Sequence, residues 1–408
     1  MAETRPLRLL IAVTSPLSLL MLAGQPAFLR RHGFEVTVAA GSGRPLADLA
    51  ESEDVRVLEL PWERGISPLG DLLSLGRLFW WLRRNRPLIV NAGTPKAGLI
   101  AALAGVLARV PCRVYVLHGL RYETFTGMRR ALLFASDWIA CRCCHRVYCV
   151  SDSVRHSALA AGLTRSQQST VIAHGSCNGI DADRYEPTAG LAARSAAARR
   201  SLDIPANAPV LGFVGRLARD KGIHELLLAF ERLKARVPDL RLLVLGDPDP
   251  VDPLEESELR ILRERQDIVC TGFVDDPETY YGIMDVFVLP TYREGFPTTV
   301  LEAQAAGKPV VTTTATGAVD SIVDGVTGIL VPPRDVEALC GAIERLLLDP
   351  VTATRMGTAG RERVLRYFQR QQVWNWLLHA YRDLLSTRGL PVPETASPVS
   401  GAAREVVR

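Results

Sequence analysis

"DVFVLPTYREGFPTTVLEAQAAGKPVVTTT", residues 285–314, runs from an apolar β-branched segment through a Gly- and Pro-bearing loop and a helix-length segment to a second β-branched segment. Strand, helix and strand within about 30 residues make a βαβ unit, whose two strands lie parallel in one sheet. Strands buried on both faces read as near-continuous apolar runs, and "DVFVLP" from Asp285 and "KPVVTTT" from Lys308 have that form. The alternation extends backward through "DIVCTGF" from Asp267, "RLLVLGD" from Arg241 and "VLGFVG" from Val210. It occurs a second time in "RLLIAV" from Arg8, "EVTVAA" from Glu35, "VRVLEL" from Val55, "LIVNAG" from Leu88, "RVYVLHG" from Arg113, "RVYCVS" from Arg146 and "STVIAHG" from Ser169. Two Rossmann-like α/β domains follow, each with a mostly parallel sheet.

Between the two series lies "EPTAGLAARSAAARRSLDIPANAP", residues 186–209, rich in Ala, Arg and Pro without a strand. The expected division is an N-terminal domain over 1–187, a linker over 188–206 and a C-terminal domain over 207–365. A last helix over 366–386 carries an apolar stripe of Val373, Trp374, Trp376, Leu377, Tyr381 and Leu384. The tail, 387–408, has Pro, Gly, Ser and Ala without periodicity and is expected to be disordered.

Composition bounds the function. With 48% apolar and 23% charged residues the 408-residue chain fits a soluble globular protein large enough for two cores. The longest apolar stretch, "AGLIAALAGVLARV" from Ala97, is too short to span a bilayer core of about 30 Å, and "MAETRPLRLLIAV" lacks the form of a secretory signal. A cytoplasmic protein is expected. The eight cysteines, four of them clustered in "CRCCHRVYC" at 141–149, do not form the framework of a secreted scaffold. Cys141, Cys144 and His145 lack the second ligand pair that a closed zinc site needs, so small buried thiols are expected and no metal. Of the net charge of +4, residues 1–190 carry 22 Lys/Arg against 15 Asp/Glu, a surplus of +7 that leaves −3 for the rest. With no basic helix bearing interleaved aromatics, this excess does not suit nucleic acid; an anionic membrane or a pyrophosphate substrate suits it better.

Ligands of doubly wound sheets gather beyond the C-terminal strand ends, and a cleft between two such sheets lets each hold one substrate. Four groups follow strands. In "VLPTYREGFPTTVLEA" a loop carries Glu294, a helix starts near Pro297, and Glu302 lies a turn inside it. The N–H groups of Gly295 and Phe296 with the helix start can receive a phosphate, Glu302 can accept from vicinal ribose hydroxyls, and Glu294 can reach the group attached to the phosphate. As a bare spacing, the two carboxylates fit solvated first-turn charges as well. In "FVGRLARDKGIHELL", Gly215 ends a strand, and Arg216 and Lys221 offer one bidentate and one point-like cation to a diphosphate, or are surface charges. His118 ends the strand in "VLHG", as a site group or a satisfied structural histidine. Gly24 and Gln25 lie in the turn after the first strand, where Gly24 permits close backbone approach to a ligand or simply makes the turn. "GDPDP" at 246–250 reads as a structural turn, and neither a Gly-x-Gly-x-x-Gly opening nor a P-loop is present.

Together, Glu294/Glu302, "GRLARDKG", "VLHG", "NGID" at Asn178 and "DSIVDGVTGILVPPRD" at Asp320 resemble the family 4 retaining glycosyltransferases of the two-Rossmann-domain GT-B fold over residues 8–385. "NAGTPKAGLIAALAG", "HGLRYETFTGMRR" and "CVSDSVR" look like the bacterial capsule, exopolysaccharide and O-antigen branch, whose acceptors are often undecaprenyl-diphosphate-linked sugars. The resemblance implies a central cleft and a last helix crossing back to the N-terminal domain. It also implies that Arg216 and Lys221 bind the donor diphosphate, Glu302 holds the ribose, and Glu294 with the N–H groups of Gly295 and Phe296 positions sugar and diphosphate. His118 would contact the sugar near its reactive end. The nucleotide-sugar, taken as UDP-linked, is a substrate, and no cofactor is implied. Two departures bear on donor contacts: Gly24-Gln25 stands where many relatives have two glycines, and "TGAVDSIV" replaces Gly-Gly-x-Pro-Glu.

On the acceptor side, "SPLGDLLSLGRLFWWLRRNRP" from Ser67 reads as an interfacial helix or a core helix with a charged end. Arg121, Arg129 and Arg130 can meet a lipid diphosphate or be solvated loop charges. The expectation is a hexosyltransferase that contacts the inner face of the cytoplasmic membrane. Rival classes are a nucleotide-sugar epimerase or hydrolase, a transferase with a soluble small-molecule acceptor, and a noncatalytic binding protein.

Overall fold

The computed structural model describes residues 7–62, 65 and 67–393. Seven strands come first: β1 (Leu7–Ala12), β2 (Phe34–Gly41), β3 (Arg56–Leu60), β4 (Ile89–Gly93), β5 (Cys112–Leu117), β6 (Arg146–Cys149) and β7 (Ser169–Val171). Six follow: β8 (Val210–Val214), β9 (Arg241–Leu245), β10 (Ile268–Gly272), β11 (Val286–Leu289), β12 (Val310–Thr313) and β13 (Gly328–Val331). Each of the twelve runs read above as strands forms one of them. β13 is the addition: its four residues open on glycine, too short a run for the periodicity to show.

The strands make two sheets, ordered β3-β2-β1-β4-β5-β6-β7 and β10-β9-β8-β11-β12-β13. Pairing is parallel, as in β1 with β2 and β4 and in β8 with β9 and β11. Each sheet reverses its order beside its first strand, which places a ligand-accepting crevice beyond the ends of β1 and β4 and of β8 and β11. The opening stretch supplies β11, the Thr298–Ala305 helix and β12, the expected βαβ unit.

The chain groups into two compact units: residues up to Tyr115 with Arg142–His145 and the residues from Leu377 on, and Val116–Cys141 with Arg146–Trp376. In the first, Leu10, Ala39, Val90 and Ile100 pack with Leu78 and Leu82 of the Pro68–Asn85 helix. At its strand ends the Thr14 and Thr94 hydroxyls lie 2.7 Å apart, and Ala97 N donates to Thr14 Oγ1 at 3.1 Å. In the second, Phe213, Phe230, Val244, Phe287, Val300 and Met356 share one core.

The stretch read as a linker contains the Ala189–Ser201 helix, capped by Thr188, whose hydroxyl accepts from Leu191 N at 3.1 Å. Buried Ser195 fastens it to the Pro277–Tyr281 helix by donating to Thr279 O at 2.8 Å. The last helix, Arg370–Ser386, buries its stripe: Trp374 Nε1 donates to Asn178 Oδ1 at 2.6 Å within the second unit, and Asn91 Nδ2 donates to the Tyr381 hydroxyl at 2.5 Å within the first. The tail is ordered further than its composition suggests. Leu390 N donates to Leu385 O at 3.0 Å, and buried Pro393 lies against Gly33; residues 394–408 lie outside those described.

Candidate active site

Two loops of the second unit meet at the ends of β8 and β11, and their charges pair crosswise. Lys221 Nζ donates to Glu294 Oε1 at 2.5 Å, and Arg293 donates to Asp220 Oδ2 at 2.8 Å. All four side chains are largely buried, between 9% and 14% exposed, so each charge depends on its partner. The backbone joins in: Asp220 O accepts from both Thr291 Oγ1 and Tyr292 N at 2.9 Å. Gly222 lets the loops come this close, since a Cβ there would lie 2.0 Å from Pro290 O. Asp220 and Arg293 are sequence neighbours of Lys221 and Glu294, and this complementary doubling was the signal that could have found them.

Arg216, at the end of β8, is half exposed and ion-paired with buried Asp249. Burial works against the Asp249 charge, but hydrogen bonds from Val251 N, Arg216 and Asp252 N hold its carboxyl below the ordinary range. "GDPDP" is thus the turn expected, with Asp249 as the anchor of Arg216. Arg121 follows β5 by a few residues, and its guanidinium is pushed below its usual pKa by burial and by the neighbouring charges of Arg293, Arg129 and Arg216. Cations from three separate stretches therefore converge. Arg129 stacks 4.0 Å over Phe125, while Arg130 is exposed, its charge felt at Tyr122.

His118 brings its backbone onto the same loop. Its carbonyl would lie 2.2 Å from a Cβ on Gly295. Burial pushes its imidazole down to about 4, and Nδ1 lies 3.2 Å from Cys177 Sγ. Glu294 N donates to Thr316 O at 2.8 Å, and Gly317 N donates to Ser153 Oγ at 2.7 Å. Ser153 in turn donates through N (3.1 Å) and its hydroxyl to Asp320, so "CVSDSVR" and "DSIVDG" meet behind the Glu294 loop. The N–H groups of Gly295 and Phe296, just ahead of the Thr298–Ala305 helix, have no protein acceptor among the described residues. Such donors at a helix start suit an anion. The Phe296 ring is buried against Phe368, 5.3 Å between centroids.

Glu302 lies one turn into that helix, with different company. It accepts from the Tyr281 hydroxyl at 2.9 Å and from Tyr185. Burial raises its carboxyl from 4.5 to about 7, the two tyrosines and the charges of Arg184 and Arg370 opposing the rise. A folded-state value above the unfolded one means that, between those limits, unfolding releases a proton, so stability falls as pH rises through the window. Replacing Glu302 by Gln should flatten the melting temperature against pH between about 5 and 7, where the native protein should lose stability.

Gly24 and Gln25 belong to the first unit and do not directly follow β1; a 3-10 helix, Pro16–Leu22, intervenes. Gly24 N donates to Glu53 Oε1 at 2.6 Å and Ala27 N to Glu53 Oε2 at 3.0 Å, so a carboxylate of the chain itself caps the Gln25–Arg31 helix. In the cysteine-rich segment both ring nitrogens of His145 face Arg113, at 3.0 Å. Among the described residues no three His, Cys, Asp or Glu side chains group as metal ligands, and no helix is long and apolar enough to cross a membrane.

Residues 195–363 match the family model of glycosyl transferases group 1, and residues 27–184 that of Glycosyltransferase Family 4. The capsular polysaccharide biosynthesis glycosyltransferase CapM of Staphylococcus aureus is 34% identical over 373 residues, covering 91% of this chain and 96% of its own length. The chain belongs to glycosyltransferase family 4. A further relative of this family 4 glycosyltransferase is the UDP-Gal:α-D-GlcNAc-diphosphoundecaprenol α-1,3-galactosyltransferase of Escherichia coli, 25% identical over 324 residues, 78% of this chain and 81% of that protein. Among solved structures, Anabaena HepE in complex with UDP-glucose has a TM-score of 0.76 at 22% identity, covering 92% of this chain and 99% of that one. Sucrose-phosphate synthase of Thermosynechococcus elongatus gives 0.75 at 21%, covering 93% and 99%. These likenesses identify the fold as GT-B, and the relatives place the enzyme in the bacterial surface-polysaccharide branch.

Proposed function

We propose that this family 4 glycosyltransferase moves a hexose-type sugar, with retention of anomeric configuration, from a UDP-linked donor to a hydroxyl of a polyprenyl-diphosphate-linked glycan. The observation that carries this reading is the gathering of Arg121, Arg216 and Arg293, with Lys221 paired to Glu294 of the Arg293 loop, just ahead of the Gly295 and Phe296 N–H groups, which have no protein acceptor among the described residues. That set is suited to a diphosphate acquiring charge. HepE, solved with UDP-glucose, supports the donor class, and the Escherichia coli relative's diphosphoundecaprenol substrate supports the acceptor class.

On this reading the bond from the anomeric carbon to the phosphate oxygen breaks as a bond to the acceptor oxygen forms on the same face. The electron pair leaves with the nucleoside diphosphate, where Lys221, Arg216 and the helix start meet it; the acceptor proton passes to a phosphate oxygen. His118 and Glu294 orient the sugar, neither acting as nucleophile, Glu302 holds the ribose, and the protein's own cations make a metal unnecessary.

The acceptor reading draws on the Pro68–Asn85 helix, which has two apolar faces. Ser74, Leu78 and Leu82 are buried, whereas Leu69 (80%), Leu72 (66%), Leu73 (62%) and Trp80 (71%) are exposed beside exposed Arg77, Arg83 and Arg84. An exposed apolar stripe bordered by arginines suits the inner surface of an anionic membrane. The test supplies UDP-sugars, in chelator, to the protein with anionic vesicles bearing a polyprenyl-diphosphate-linked sugar. The expected result is co-sedimentation at low salt and an α-linked product from an α-linked donor. Donor hydrolysis or epimerisation without transfer would overturn the reading, as would an inverted product; transfer to soluble acceptors alone would move the acceptor to small molecules.

A further inference from the structure

His118 is pinned at both its backbone and its side chain, and one of the pins is a residue to which the reaction above gives no part. The backbone is fixed by close contact of its carbonyl with Gly295. The side chain meets Cys177, whose Sγ lies 3.2 Å from Nδ1. Cys177 is itself held in place. The preceding residue, Ser176, donates through N to Val150 O at 2.7 Å, and the following residue, Asn178, accepts from Trp374 Nε1 at 2.6 Å. Gly175, two residues earlier, packs against the Phe296 ring.

The protonation of this pair follows from its surroundings. Burial keeps the imidazole neutral at ordinary pH, and burial together with the Glu294 charge pushes the Cys177 thiol up to about 12, so it stays S–H. A neutral imidazole has one N–H and one lone pair, and the neighbour of one nitrogen decides which is which. A thiol sulfur is a poor acceptor, whereas an imidazole nitrogen is a good one. The favoured arrangement is S–H donating to Nδ1, which leaves the proton of the ring on Nε2.

We infer that Cys177 is a positioning residue that holds His118 as its Nε2–H tautomer, so that the far edge of the ring offers a hydrogen-bond donor to a hydroxyl of the bound sugar. This rests on the reading of His118 as a donor-sugar contact. The tautomer itself does not, which separates the two in experiment.

In full-length protein labelled with 15N-histidine, the ring nitrogens of His118, assigned by their loss in His118→Ala, should show a pyrrole-type Nε2 and a pyridine-type Nδ1. Cys177→Ser, which keeps a donor, should retain that pattern; Cys177→Ala should shift it toward a mixture of tautomers. With a donor substrate, Cys177→Ala should lower kcat/KM about tenfold, the scale of one hydrogen bond, and Cys177→Ser should recover most of the loss. In a His118→Ala background Cys177→Ala should cost nothing further, a non-additivity that a merely structural cysteine would not give. A pyrrole-type Nδ1 in the native protein, or a tautomer unchanged in Cys177→Ala, would overturn the inference. A shifted tautomer with unchanged kcat/KM would uphold the positioning and overturn the sugar contact of His118.

Discussion

Replacing Lys221 by alanine is expected to lower turnover at saturating donor by about 10²- to 10³-fold, the loss typical of deleting one preorganised donor to developing charge. The effect should fall on kcat, because leaving-group charge grows in the transition state and a saturated site already holds its substrate. Lys221→Ala also leaves Glu294 without its 2.5 Å partner in a position only 14% exposed, so a stability cost accompanies the catalytic one. Lys221→Ala combined with Glu294→Gln separates them: melting should recover relative to Lys221→Ala, while turnover stays well below that of Glu294→Gln alone. Turnover within a few-fold of the native enzyme at saturating donor would remove Lys221 from the mechanism.

Gly295→Ala should be as damaging by a different route. A Cβ at this position would sit 2.2 Å from His118 O and 2.7 Å from its carbonyl carbon, and backbone cannot rotate aside as a side chain can. The Glu294 loop or the end of β5 must therefore move. Displacement of about 1 Å at a reacting centre is enough to cost about 100-fold, so kcat/KM should drop by that order even where the variant remains folded. Circular dichroism and a donor-dependent thermal shift, measured beside turnover, would check this. A variant with native melting temperature and native kcat/KM would show that the contact is not tight.

The two sheets were legible in the sequence because parallel strands buried on both faces leave long β-branched runs, and twelve such runs became twelve strands. At the Ala189–Ser201 helix, Ala, Arg and Pro mark a change of composition that points to a connection but say nothing of the buried Ser195 that fastens it. Arg216, Lys221 and Glu294 could be placed at strand ends. Their pairing could not, since the ion pairs Arg216–Asp249 and Lys221–Glu294 join residues far apart in the chain. Cys177 left no trace: a cysteine before "NGID" has no periodic or spacing signal, and only the fold carries it to His118. The Glu53 cap on Gly24 was hidden for the same reason, a lone glutamate at the end of one helix closing the start of another.

The crossed pairs Asp220–Arg293 and Lys221–Glu294 make this quartet electrically neutral at rest. On the proposed reading, a donor pyrophosphate arriving there would meet no idle ammonium and would have to win Lys221 from Glu294 in an exchange of partners. That swap would free a carboxylate as the anion docks, leaving Glu294 to accept hydrogen bonds from hydroxyls of the attached sugar. It would also handicap free inorganic anions, which would dislodge the lysine yet leave the liberated carboxylate facing them with nothing to grasp.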